Sequence, residues 1–240
     1  MRGAAGTKIM TPFDYIVWLI SLPAPIYIVA RLAVRRELFR YFALAFYCLA
    51  TTASNIGNFA VLKIYGIASA PYIYAYFYSE SILAVLLFLV VLSMFRQLLE
   101  DMGATVYVRI AGILLLAGTA WVSFTVVQGH RDHMTGRFVV ELGRDLNFVG
   151  VVLVYLLWTA IMKLRESRAR MIQLALALGV YFSVYVLCYG LRQAHPEWAV
   201  LRMMPALVST FLFYSWAYTF TKIPEEARLA TARLAALATR

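Results

Sequence analysis

Seven apolar runs occupy most of this chain, at 13–33, 40–62, 72–95, 106–127, 139–162, 171–191 and 203–221. Each is about 20 residues long, enough to cross a hydrocarbon core of about 30 Å as a helix. The polar breaks between them run to about six to twelve residues, too short to fold as inserted domains. Of the residues, 63% are hydrophobic and 14% charged; a soluble domain carries about a quarter charged. A soluble bundle would also need helices with wide polar faces, which these runs lack. An outer-membrane barrel would show short alternating segments instead. The expectation is an all-α polytopic membrane protein. It has a seven-transmembrane-helix domain over 1–222 and a short amphipathic tail over 223–240.

Net charge is +10, which in a soluble chain would suggest a nucleic-acid partner. Its distribution excludes that reading. Arg31, Arg35, Arg36, Arg40, Arg96, Lys163, Arg165, Arg168, Arg170, Lys222, Arg228, Arg233 and Arg240 fall on one side of a seven-span arrangement. Arg2, Lys8, Lys63, Arg131, Arg137, Arg144, Arg192 and Arg202 fall on the other, and Arg109 opens the fourth span on the richer side. The positive-inside rule then puts the N-terminus outside and the C-terminus in the cytoplasm. The partner implied is a lipid bilayer, anionic on the cytoplasmic side, and the localisation is integral to a membrane, the bacterial cytoplasmic membrane.

The start MRGAAGTKIMT has the bases of a signal peptide, but the first run is long, contains Pro23 and Pro25 and ends in RLAVRRELFR. It reads as a retained helix. Cys48 and Cys188 fall inside apolar runs and read as packing residues. In the tail, Pro224, Glu225 and Glu226 precede helix formers with Arg228, Arg233 and Arg240, a pattern suited to a helix lying on anionic lipid.

The run from Pro71 to Phe95 contains one carboxylate, Glu80, and no base. An ionisable group at such depth is costly, so it is the first place to look for function. Tyr72, Tyr76 and Glu80 share one helical face at spacing four, with Tyr74 and Tyr78 on the next stripe. Glu80 sits about nine residues, roughly 13 Å, from the outer end of its run. Three roles fit it: a proton relay, the counter-charge for a cationic or hydroxylated ligand within an aromatic cage, or interhelical glue.

The second run holds TTASNIGN (51–58), with Asn55 and Asn58 as candidate partners for Glu80. The sixth carries Tyr181, Tyr185 and Tyr189 at spacing four with Arg192 beyond, and the seventh carries Tyr214. Mid-depth phenols need hydrogen-bond partners, so Tyr76, Tyr185 and Tyr214 are pocket candidates. Asp145 opens into the fifth run, either as a helix-start residue or as the rim of the Glu80 cavity. His130, His133 and His195, with nearby acids, are weak metal candidates, because their spacing matches no established ligand set.

Several functions lack their required residues. A retinal Schiff base needs a mid-span lysine in the seventh run, where the only lysine is the terminal Lys222. No phosphate loop, HExxH or GxSxG is present. The outline is similar to the heptahelical receptor plan in topology alone: the third run ends MFRQLLED and the seventh YTFTKIP, so no site residue carries across. No catalytic set and no cofactor are assigned. The expected function is a small-ligand sensor or receptor-like component with an outward-facing tyrosine-rich pocket, signalling through a protein partner. The alternatives are a small proton-coupled secondary transporter, a lipid-modifying membrane enzyme using Asp132, His133, Asp145 and His195, or a non-catalytic assembly subunit.

Overall fold

The computed structural model describes residues 18–66, 69–100, 103, 105–128, 134–164, 168–194, 198 and 200–224. They form α1 (Pro23–Val34), α2 (Phe42–Tyr65), α3 (Ala70–Leu98), α4 (Thr105–Gln128), α5 (Met134–Lys163), α6 (Ala169–Ala194) and α7 (Val200–Lys222), with no strand among the described residues. A helical lead-in from Trp18 precedes α1. By length and composition α3, α4, α5 and α6 can each cross a bilayer. The chain is therefore an all-α membrane bundle. α2 and α7 have 24 and 23 residues, but hydroxyl and amide side chains dilute their apolar character. The helices overrun the apolar runs at most ends, because a helix continues into the interfacial layer where lipid no longer dictates composition.

Consecutive helices pack against one another, and two further contacts, α3 with α5 and α1 with α7, set the layout. α1, α2, α3, α5, α6 and α7 form a closed ring. α4 lies outside it, against α3 and α5 only among its principal contacts. The ring interior holds Ile28 and Leu32 of α1, Leu44 and Tyr47 of α2, Leu87, Phe88, Val90 and Val91 of α3, Leu157 of α5, Leu174 and Leu178 of α6, and Leu212, Phe213, Trp216 and Phe220 of α7. Large apolar side chains on the outer faces, such as Leu114, Trp121 and Leu187, remain exposed. That pattern fits lipid as the surrounding solvent, since burial between helices has no hydrophobic advantage over burial in acyl chains.

α4 faces the ring through Gly112, Leu116, Thr119, Ser123 and Val127. Their spacing of three and four makes one narrow stripe. Small and hydroxyl residues there let the backbones approach closely. Thr119 donates back to the Leu115 carbonyl, as Thr51, Thr159 and Thr219 do on their own helices, and the single Ser123 proton is shared between Thr119 O and the Asp145 carboxylate. Hydroxyls satisfied in this way can sit in a dry helix face at little cost.

Both the α1–α2 link and the start of α6 lie at the base-rich end, and a buried arginine joins them there. α1 ends in a Schellman arrangement: the Glu37 amide donates to Leu32 O and the Arg36 amide to Ala33 O. Arg36 takes φ 57° at the left-handed position usually held by glycine. That turn aims Glu37 at Arg170, which is 1% exposed; Nη1 of Arg170 lies 2.8 Å from Oε2 of Glu37. Nε and Nη2 of Arg170 donate to the carbonyl of Ile223, just past the end of α7. Its guanidinium also lies over the Phe220 ring. Gln97 at the end of α3 donates to Arg40 O and accepts from Arg168 through its carbonyl. Four helix ends are thus tied together at one pole.

Candidate functional site

Glu80 lies ten residues into α3, about 15 Å from its start at the base-poor end. Its side chain is partly buried on the ring side. The phenols of Tyr47 on α2, Tyr76 on α3, and Tyr181 and Tyr185 on α6 are all within electrostatic range of its carboxylate. Tyr181 and Tyr185 stack at 5.8 Å, Tyr72 and Tyr76 approach at 6.4 Å, and Tyr47 stacks on Phe213 and meets Trp216 edge-on. Among the described residues, no hydrogen bond or ion pair holds the Glu80 carboxylate. The buried indole Nε1 of Trp216 also has no hydrogen-bond partner there.

The phenols form a column rather than a ring at one level. Counting from the base-poor ends of their helices, Tyr189, Tyr185 and Tyr181 lie about 8, 14 and 20 Å deep, and Tyr47 about 27 Å. Near the base-poor end, Arg144 of α5 lies within interaction range of Tyr189 of α6 and pairs with Glu141 and Asp145. Arg192 is within electrostatic range of Tyr76 and Tyr185. Polar side chains therefore continue from the Arg144 cluster down to Tyr47, which lies five residues from the base-rich end of α2. Below it come Trp216 and Phe220, then Arg170.

The residues expected from sequence fall into three groups. Tyr72, Tyr76 and Tyr185 accompany Glu80. Asn58 is one residue out of register with the expected pairing: its Nδ2 donates to Ser79 Oγ at 2.8 Å, and Ser79 in turn donates to Tyr76 O. Asn55 lies a turn earlier on α2 and is partly buried. Tyr214 belongs to the α1–α7 seam, where its hydroxyl donates to Ile20 O at 3.0 Å.

Asp145 lies not at the start of its helix but eleven residues into α5. Its Oδ2 accepts from Ser123 of α4 at 2.8 Å, and its Oδ1 lies 3.5 Å from Arg144 Nε. Arg144 also pairs with Glu141. The weak metal candidates His130, His133 and His195, the enzyme candidate Asp132 and the tail beyond Pro224 lie outside the described residues. No cluster of metal-ligating side chains occurs among the described ones.

Tyr47 and Arg144 are site residues that the sequence pattern does not single out. Tyr47 sits in FALAFYCLA without any polar neighbour. Only the fact that a mid-span phenol must find a partner could have singled it out.

Fold and site together define an all-α protein embedded in a membrane with a carboxylate among interior phenols. No family model matches the chain, and neither does any curated protein or solved structure.

Proposed function

We propose that this protein is a seven-span small-ligand sensor whose site is the phenol cluster around Glu80, opening toward the outer, base-poor face. The carrying observation is that the Glu80 carboxylate sits among four phenols from three helices without a hydrogen-bond or ion-pair partner among the described residues. A residue serving as interhelical glue would have its hydrogen bonds made, as Asn58 and Ser79 do. An acid left open among aromatic faces suits a small organic cation, held by charge and by the ring quadrupoles. The unpartnered Trp216 indole offers a further donor to a ligand acceptor or a water. Basic loops at the opposite pole supply the surface for a cytoplasmic partner.

The test is a thermal-shift and calorimetric panel of small organic cations on purified protein. A saturable stabilisation lost in Glu80→Gln and weakened in Tyr185→Phe supports the reading. A panel that stabilises parent and Glu80→Gln alike overturns it.

The column from Tyr189 to Tyr47 favours a second reading, a small secondary transporter coupled to protons through Glu80. Proteoliposomes would then show substrate-driven proton movement abolished by Glu80→Gln, which a sensor would not.

A further inference from the structure

A second site lies on the other side of α5. A groove of about 370 Å³ opens between α4 and α5, lined by Leu114, Leu115, Thr119, Val122, Asp145 and Phe148, with Gly118 and Val149 in its walls. This volume falls in the range of small-molecule sites, and its makeup is theirs too: mostly apolar walls with a few convergent polar groups. Gly118 leaves open space where a Cβ would stand. Leu114, Val122 and Phe148 are exposed, and α4 has no principal neighbour beyond α3 and α5, so the mouth faces lipid rather than the ring.

The groove has a polar end and an apolar end. Asp145, 21% exposed, sits toward the base-poor pole, while Gly118, Leu115 and Leu114 lie progressively deeper on α4. An amphiphile in the adjoining leaflet has the same direction, head toward the interface and chain toward the midplane. The head chemistry follows from charge. Arg144 contacts both Glu141 and Asp145, leaving one acid in excess within that cluster. Ser123 donates one hydrogen bond to Asp145, and a carboxylate accepts about four. In a low-dielectric setting the surplus favours a cation that brings its own donors.

We infer that the α4–α5 groove binds a single-chain amphiphile bearing a protonated amine, with the amine at Asp145 and the chain along Leu114, Leu115 and Phe148. The inference does not rest on the Glu80 reading: the groove opens to lipid between α4 and α5, and of the polar column around Glu80 it shares only the Arg144 cluster at the base-poor end.

The experiment uses the full chain in phosphatidylcholine nanodiscs with a photoactivatable dodecylamine, compared with the alcohol and carboxylate of equal chain length. The amine is expected to label segments 114–122 and 145–149 saturably, with competition by unlabelled dodecylamine, and more strongly than either analogue. Asp145→Asn, which keeps an acceptor for Ser123, should weaken amine labelling by about tenfold or more and leave alcohol labelling unchanged. Gly118→Leu fills the groove away from the charged cluster and should abolish labelling by all three. Glu80→Gln should change nothing. Three results overturn the inference: labelling spread over all lipid-facing helices without saturation (annular lipid only), equal labelling by amine and alcohol, or undiminished amine labelling in both groove variants. Absence of labelling in a chain that is dimeric in the same nanodiscs would overturn it as well, assigning the face to self-association.

Discussion

Arg170 and Glu37 are 133 residues apart in sequence, yet their charged groups meet at 2.8 Å in the base-rich pole of the bundle. The arginine is almost wholly enclosed and the glutamate about a fifth exposed. Two further donors of the same guanidinium hold Ile223 O. The planar fork of arginine serves both partners at once, which a lysine ammonium cannot do from one position.

Removing the acid should therefore leave a buried cation only half compensated. Breaking a fully buried pair costs about 3–5 kcal/mol, and the exposure of Glu37 lowers this to about 2–3 kcal/mol for Glu37→Gln. Arg170→Lys should fall at least as far, since it forfeits the Ile223 contacts. Unfolding in mild detergent measures both. A loss under 0.5 kcal/mol in either variant, on the order of an exposed pair, would show that the pair is not closing this pole.

Glycines on the inner helix faces give a paired prediction. A Cβ on Gly150 would overlap the ring of Phe182, and one on Gly112 would overlap the end of Leu92. Phe182 is buried in the core with no room to turn, whereas Leu92 is only partly buried. Gly150→Ala should cost about 1–3 kcal/mol by overpacking, and Gly112→Ala less. Gly150→Ala with Phe182→Leu should recover part of the loss, a coupling that a double-mutant cycle reads directly. Additive effects would mean that α5 and α6 do not meet through this pair.

The hydrogen bond from Ser123 to Asp145 joins the peripheral α4 to the ring. Interhelical hydrogen bonds within membranes average about 0.6 kcal/mol and reach about 1.7. Ser123 is fully buried and Asp145 loses its donor, so Ser123→Ala belongs at the upper end, about 1–1.7 kcal/mol. Because α4 has few principal neighbours, hydrogen exchange should rise in α4 before any other helix. Uniform loosening of all helices would contradict the peripheral placement of α4.

The sequence announced the helices because apolar length and alternation of polar breaks are local signals. The face shared by Tyr72, Tyr76 and Glu80 was equally legible from spacing alone. Cross-helix partners were not, since they depend on the rotation and height of a neighbour. A shift of one residue sent Asn58 to Ser79 instead of Glu80. Tyr214 looked like an interior phenol but faces the lead-in to α1, because the adjacent inward positions of α7 are filled by Phe213 and Trp216. Arg170 read as one topological base among many. Its burial depends on a left-handed turn at Arg36 and on a carbonyl at the end of α7, neither of which a helical pattern encodes.

Stability measurements on two seams separate a functional Glu80 from a structural one. The Asn58–Ser79 pair is a completed hydrogen bond between α2 and α3, so Ser79→Ala should lose about 0.6 kcal/mol or more. Glu80 makes no such bond among the described residues, and a charged acid at the centre of a membrane helix costs about 2.5–3.5 kcal/mol on insertion scales. Glu80→Met has a similar length without the charge. It should leave the bundle unchanged or up to about 2 kcal/mol more stable, the trade expected of a group kept for what it does. A loss of stability in Glu80→Met larger than that in Ser79→Ala would instead make Glu80 part of the packing, and the ligand reading would fall with it.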